Sequence, residues 1–213
     1  MKNKRCFIFG ALGNKRLPLV PQKDDLVIAA DAGLLQTQYY NIKPNIIIGD
    51  FDSLGSVPKE ESNVLKLPVR KDDTDVGFAV KYAAERGFTG FVIYGGIGGK
   101  LDHTIGNLQI AASIAESGGS VLLFGDEISV TVIHNGKVRF EKGVGRLSVF
   151  SLSDVSNGVY ITGASYNLEN AVLRSSYPLG VSNEFTDSPA EISVNDGTVA
   201  IMWENALPPV YTE

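Results

Sequence analysis

The chain is 213 residues long, with 44% hydrophobic and 20% charged residues and a net charge of −5, enough apolar material for one good core or two small ones, so disorder does not describe it. Its longest apolar runs fall short of the ~18 to 20 residues of a membrane span, and it has no long basic face for nucleic acid. Cys6 is the only cysteine and His103 and His134 the only histidines, which excludes intrachain disulfides, thiolate zinc clusters and His-rich metal sites; any bound metal takes oxygen ligands, favouring Mg²⁺ or a similar hard cation.

The basic start Met1 to Arg5 runs into Cys6 to Leu12, which contains Gly10 and is followed by Lys15 and Arg16 rather than a small-residue cleavage site. It reads as the first strand of a cytoplasmic protein. Further strands are expected at Leu26 to Ala30, Asn45 to Ile48, Asn63 to Leu67, Phe91 to Tyr94 and Ser120 to Phe124. Between them Val76, Ala79, Val80 and Ala83, and then Ile105, Leu108, Ala112 and Ala115, recur at helical spacing. Strands alternating with helices predict a parallel, Rossmann-like α/β domain.

After Phe124 the helical period disappears. β-Branched runs at Ile128 to Ile133, Lys137 to Phe140, Arg146 to Ser151, Val159 to Thr162, Ile192 to Val194 and Thr198 to Trp203 are punctuated by the turn pairs Asn135-Gly136, Asn157-Gly158 and Asp196-Gly197. Such pairs tolerate the positive φ of tight turns, so the first predicts a hairpin, and His134 beside it an exposed turn residue. The expectation is an α/β domain over 1–124 followed by an antiparallel β-sandwich over 125–213. Acid is unevenly spread: residues 1–123 carry 14 basic and 13 acidic side chains, residues 124–213 only 5 and 11. In the first part Asp31, Asp50, Asp52, Asp72, Asp73, Asp75 and Asp102 all fall at strand ends or loops.

Asp50 and Asp52 follow a buried parallel strand, and the carboxyl ends of such strands are where open α/β sheets bind ligands. In extended backbone the two point the same way. Carboxylates ~4 to 5 Å apart repel by roughly 3 to 4 kcal/mol at an effective dielectric of 20, so a cation belongs between them; the plain alternative is a polar turn with Ser53. Arg70-Lys71-Asp72-Asp73-Thr74-Asp75 opens on the same sheet edge, where helix-start amides near Thr74 and Asp75 offer to hold phosphate oxygens with Lys71 as a point charge. Asp75 and Asp102 serve equally as simple helix caps.

Tyr94-Gly95-Gly96-Ile97-Gly98-Gly99-Lys100-Leu101-Asp102-His103 is a glycine-rich strand-to-helix loop. Tyr94 and Leu101 stand where a Walker loop needs Gly and Ser or Thr, and the dinucleotide fingerprint fails at Leu101 too. The glycines still let backbone amides approach an anion, with Lys100 to neutralise charge and Asp102 closing the set. His103 shares a helix face with Asn107 and is either a general base or a structural partner of Asp102. Pro178 to Phe185 is a polar segment able to read a heteroaromatic edge, or an irregular connection. Trp203 is a stacking platform or core.

Gly49-Asp50-Phe51-Asp52-Ser53, Lys71-Asp72-Asp73-Thr74-Asp75, Gly95 to His103 with Gly106-Asn107, and Leu179-Gly180-Val181-Ser182-Asn183-Glu184-Phe185 together resemble the thiamine pyrophosphokinases. The four blocks occur in the family's order over roughly residues 31 to 185. The resemblance implies transfer of the pyrophosphoryl unit of ATP to the hydroxyethyl group of thiamine, giving thiamine diphosphate and AMP, in a homodimer with active sites at the subunit interface. It implies Asp50, Asp52 and Asp75 as Mg²⁺ carboxylates with Asp31 and Asp102 as companions. Lys71, Asp72, Thr74, Gly96, Gly98, Gly99, Lys100 and Asn107 then belong to the ATP site, and Ser182 and Asn183 to the thiamine site. Lys100 stands where the family commonly has Arg, and Asp31-Ala32-Gly33 where Asp-Gly-Gly is usual, so Ala32 must keep to conformations open to any residue.

Two rival readings stand beside it. Asp50-Phe51-Asp52 after a strand is similar to the aspartyl-nucleophile phosphotransferases, although those prefer Thr or Val where Leu54 stands. The sandwich half alone would suit a non-catalytic nucleotide- or carbohydrate-binding module, which has no evident use for so many aspartates at one sheet edge.

Overall fold

The structure, a computed structural model, describes residues 4–50, 63–68, 73–204 and 208–212. Asp52, Leu54, Lys71 and Asp72 lie outside them. The elements in chain order are β1 (Arg5–Phe9), β2 (Leu26–Ala30), α1 (Gly33–Tyr39), β3 (Ile46–Gly49), β4 (Val64–Lys66), α2 (Asp75–Ala84), β5 (Gly90–Tyr94), α3 (Leu101–Glu116), β6 (Ser120–Phe124), β7 (Ile128–His134), β8 (Lys137–Phe140), β9 (Arg146–Ser151), β10 (Val155–Thr162), β11 (Leu168–Arg174), β12 (Gly180–Glu184), β13 (Ala190–Asp196), β14 (Thr198–Glu204) and β15 (Val210–Thr212). The chain divides into two compact units, residues 1–107 with 123–126, and residues 108–122 with 127–213. Both α3 and β6 cross the division. Among the described residues no helix is long and apolar enough to cross a membrane.

In the first unit β5-β1-β2-β3-β4 form a parallel sheet in that order. Its strands read as unbroken apolar runs because both faces are covered: Phe7, Ile8, Phe9, Ile28, Ala29, Ile47, Ile48 and Ile93 are all buried. Phe9, Tyr94 and Phe124 stack in series, with ring centroids 5.2 and 5.1 Å apart. The registers Phe9↔Tyr94, Phe9↔Ala29 and Ala30↔Ile48 bring the carboxyl ends of β1, β2, β3 and β5 to one edge. Helix α1 was not evident from the sequence; it is seven residues long with no side-chain cap.

The second unit holds two antiparallel sheets, β12-β9-β14-β7 and β11-β10-β13-β8-β15. Trp203 on β14 is 1% exposed and meets Phe140 of β8 edge to face at 5.2 Å, so the tryptophan is core. The expected hairpin at Asn135-Gly136 does not form: β7 pairs with β14, whereas β8 pairs with β13 and β15 in the other sheet. The turn pair instead carries the chain from sheet to sheet, and Asp196-Gly197 carries it back. The two corners clasp each other, with Asn135 N–H donating to the Gly197 carbonyl at 3.1 Å and Gly197 N–H to Asn135 Oδ1 at 2.8 Å.

His134 is correspondingly not an exposed turn residue. Its Nδ1 lies 2.9 Å from Thr198 Oγ1, which itself donates to Glu116 Oε1 at 2.9 Å. Thr198 has one proton to give, so Nδ1 is the protonated ring nitrogen. Asn157-Gly158 is also no turn; it sits inside β10 at a bulge between Ser156 and Val159. Strands β11, β12 and β15 are further additions to the sequence reading, β12 within the segment Pro178 to Phe185.

Candidate active site

Because β1, β2, β3 and β5 are parallel, the loops leaving their carboxyl ends open together, and they surround a cavity of about 510 Å³ within the first unit. Ala11 and Leu12 come from the loop after β1, Asp31 from β2, Asp50 from β3, and Gly95, Gly96, Gly98 and Lys100 from β5. Asp73, Thr74, Asp75 and Val76 contribute from the start of α2, and His103 and Asn107 from α3. Four carboxylates from three separate stretches of sequence, Asp31, Asp50 and the pair Asp73 and Asp75, therefore line one space.

Asp31 adopts φ 49°, an uncommon conformation for a non-glycine residue, with its N–H bonded to the Ile48 carbonyl at 2.7 Å. Ala32, by contrast, is ordinary helical backbone at φ −61°, as its side chain requires. Gly49 lies directly beneath: a Cβ there would stand 3.0 Å from Asp31 Cα. Strain of this kind concentrates at functional sites.

The start of α2 is capped on both sides. Thr74 Oγ1 accepts the Gly77 N–H at 3.0 Å, and Asp73 Oδ1 accepts the Thr74 N–H at 3.0 Å. Asp73 also pairs with Lys81, whose pKa is raised by that hydrogen bond and charge. A Cβ on Gly77 would collide with Asp73 Oδ1, so glycine makes room for the carboxylate. The Thr74 amide, expected to meet phosphate, is engaged by Asp73.

Three side chains tether the glycine loop. Asn14, 4% exposed, accepts the Gly95 N–H at 2.7 Å and donates to the Gly125 carbonyl at 3.1 Å. Asn107, 7% exposed, donates to the Gly96 carbonyl at 2.8 Å. Thr104 Oγ1 sits 3.1 Å from both N and O of Gly98. Gly95 has φ +68°, and a Cβ there would run into the Leu12 carbonyl, which makes it a position for glycine alone. Gly99 faces Leu12 rather than the cavity. Sequence reasoning missed Asn14, because nothing in a lone polar residue 81 positions from its partner marks it, and it missed Thr104, six positions from Gly98.

Asp102 is not among the cavity residues. It is exposed, and its Oδ1 accepts the His103 N–H at 2.9 Å; His103 itself lines the cavity. Among the described residues no three of the His, Cys, Asp and Glu side chains form a cluster that alone would hold a metal. Of the three carboxylates that the resemblance assigns to Mg²⁺, Asp50 and Asp75 line this cavity and Asp52 lies outside the described residues; oxygen donors of this kind suit a hard cation.

The second unit has its own cavity of about 540 Å³, lined in part by Leu179, Gly180, Val181, Ser182 and Asn183. A shift in the β12–β9 register between Gly180 and Asn183 puts Ser182 at φ 60°, and its N–H bonds Ser148 Oγ at 3.1 Å. Asn183 is buried, and Tyr166 borders the same space.

The model of the thiamin pyrophosphokinase catalytic domain matches residues 17–123, and that of the thiamin pyrophosphokinase vitamin B1 binding domain matches residues 135–199. A thiamine pyrophosphokinase of Bacillus subtilis is 25% identical over 184 residues, covering 83% of this chain and 86% of the relative. The crystal structure of a thiamine pyrophosphokinase from the same organism superposes with a TM-score of 0.80 at 24% identity over 96% of this chain and 100% of that one. The yeast thiamin pyrophosphokinase structure does so at 0.74 and 14% identity, over 97% and 88%. With more than half of its length matched by the catalytic-domain model alone, the chain belongs to the thiamin pyrophosphokinase family.

Proposed function

We propose that the cavity of the first unit is the nucleotide and pyrophosphoryl-transfer site, and that the Ser182 cavity of the second unit receives the acceptor. The activity is ATP-dependent pyrophosphoryl transfer to thiamine, yielding thiamine diphosphate and AMP. The observation that carries the site assignment is the gathering of Asp31, Asp50, Asp73 and Asp75 with the glycine loop and Lys100 around one cavity, in a chain of this family. We take the functional division as 1–124 for nucleotide and catalysis and 125–213 for thiamine.

In the reaction the thiamine hydroxyl oxygen forms a bond to the β-phosphorus of ATP while the bond from that phosphorus to the α,β-bridging oxygen breaks, and AMP leaves. The protein's task is to hold the two in line and to offset developing charge. Lys100 faces the polyphosphate as a point charge where a guanidinium fork would have been bidentate. Asn14, Asn107 and Thr104 hold the glycine loop in shape beforehand. Asp75 lines the cavity and so suits the hydroxyl proton better than Asp102, whose Oδ1 is engaged by the His103 amide. Asp50, Asp52 and Asp75 would hold Mg²⁺, which when bound neutralises phosphate charge.

The resemblance supports a homodimer in which the nucleotide cavity of one protomer works with the acceptor cavity of its partner. The single buried Cys6 accords with a cytoplasmic setting. The test is to supply ATP, Mg²⁺ and thiamine and to quantify products. Equal amounts of AMP and thiamine diphosphate are expected; inorganic phosphate or a phosphoaspartate would favour the aspartyl-nucleophile reading instead.

A further inference from the structure

Asp73, Gly77 and Lys81 follow one another at intervals of four, the spacing that stacks side chains on one face of a helix. Asp73 precedes the Thr74 cap of α2, Gly77 lies in its first turn and Lys81 in its last. Helical side chains lean toward the N-terminus, so Lys81 reaches back along α2 past Gly77, which has no side chain to block it, and its Nζ lies 2.5 Å from Asp73 Oδ2. The other carboxylate oxygen, Oδ1, accepts the Thr74 N–H at 3.0 Å and occupies the space that a Gly77 Cβ would take. Both oxygens of Asp73 are thus engaged by the chain itself, although the residue lines the same cavity as Asp50 and Asp75.

The Lys81 side chain is 71% exposed and that of Asp73 25%. An ion pair this open adds little to folding, because water and salt screen it and because holding a lysine in one geometry costs entropy. What the pair changes is the field of the cavity. Among the described lining residues four are aspartates, and Lys100 is the one lysine or arginine. A carboxylate whose charge is matched at contact distance offers less to a divalent cation, and repels a polyphosphate less, than one with no counter-charge.

We infer that Lys81 is a positioning residue acting through Asp73: it withdraws that carboxylate from cation binding at the cavity, so that the divalent ion and the polyphosphate meet one negative charge fewer. This rests on the reading of the first-unit cavity as the nucleotide site. Lys81 lies outside the cavity lining, so its effect reaches the reaction only through Asp73.

The experiment compares the full-length wild type with Lys81→Met, Lys81→Arg, Asp73→Asn and the Lys81→Met/Asp73→Asn double variant. Binding of Mn²⁺, the probe for the divalent site, is measured without nucleotide from the electron paramagnetic resonance of the free ion, and the ATP KM is measured with Mg²⁺. Lys81→Met should tighten Mn²⁺ binding and raise the ATP KM, each about threefold to tenfold, the effect of one uncompensated carboxylate beside a divalent ion and a polyphosphate. Lys81→Arg keeps the charge and should stay within about twofold of wild type. In the Asp73→Asn background Lys81→Met should move neither quantity, as for two residues acting through one contact. Unchanged Mn²⁺ affinity in Lys81→Met overturns the inference, as does an equal shift with and without the Asp73 carboxylate, which would make Lys81 a general surface charge. Mn²⁺ binding is read without turnover, so the two readings fail separately: a wild type that makes no thiamine diphosphate overturns the functional reading, whereas an active wild type with an indifferent Lys81→Met overturns the role of Lys81 alone.

Discussion

Asn14 Oδ1 accepts the Gly95 N–H at 2.7 Å while its Nδ2 donates to the Gly125 carbonyl at 3.1 Å, so one buried side chain ties the first residue of the glycine loop to the chain segment that follows β6. Its own carbonyl takes the Tyr40 hydroxyl at 2.6 Å. Asn14→Ala would leave the Gly125 carbonyl without that donor at a cost of about 1 to 3 kcal/mol. If the loop binds the nucleotide, the same change raises the ATP KM, about tenfold for each 1.4 kcal/mol of lost preorganisation. The thiamine KM should not move. Thermal unfolding alongside steady-state kinetics separates the two effects.

The carboxylates of Asp50 and Asp75 should matter far more to turnover than to folding. Asp50→Asn and Asp75→Asn keep shape and remove charge, so each is expected to lower kcat about 100-fold or more, with far-UV circular dichroism unchanged. Excess chelator should abolish turnover, and added Mg²⁺ should restore it. Near-normal activity in both variants would remove them from the mechanism.

The α2 start offers a test in which propensity and sterics oppose each other. Gly→Ala inside a helix ordinarily stabilises by about 1 kcal/mol. At Gly77 the added methyl meets Asp73 Oδ1, so Gly77→Ala should destabilise and should displace the Asp73 carboxylate from the cavity edge. Thr74→Ala, which loses only the cap to Gly77 N–H, should cost about 1 kcal/mol. Chemical denaturation of the two variants checks the ordering.

The first unit was legible because its physics is local: buried parallel strands are continuous apolar runs, and acidic or glycine-rich residues immediately after them fall on one edge by topology. Asp31, Asp50 and Asp75 could be assigned to a common edge without knowing any distance. The second unit was less legible. Asn135-Gly136 has the composition of a hairpin turn, yet whether flanking strands pair or part into two sheets depends on partners 62 and 64 residues away, Gly197 and Thr198. Strand β11 hides because most of its side chains are exposed, leaving no apolar alternation to read, and β12 hides because Gly180 and the Ser182 kink interrupt its pattern. Asn14 and Asn183 were illegible as tethers for the same reason: a buried side-chain amide is recognisable only by the backbone groups it satisfies.

Stability of the first unit should fall at alkaline pH through groups that carry no catalytic role. Burial pushes the Cys6 thiol far above its ordinary 9.0, with the nearby Asp25 charge adding to it. Burial likewise raises the Tyr94 hydroxyl above its ordinary 10.0, only partly offset by its hydrogen bond to Leu19. In both cases the folded chain keeps a proton that the unfolded chain surrenders, so the unfolded state binds fewer protons above these values and stability declines with rising pH. The contribution is complete below pH 9.0, begins to be lost as the unfolded thiol ionises, and is lost more steeply above 10.0 as the phenol joins it. Cys6→Ala should therefore delay the onset to about pH 10. Tyr94→Phe should remove the second stage while costing about 1 to 3 kcal/mol at neutral pH, because the Leu19 N–H and carbonyl, at 3.0 and 2.7 Å from the hydroxyl, both lose their partner. Denaturant midpoints measured from pH 7 to 11 would read both stages, and a flat profile in the wild type would contradict the burial of these two groups.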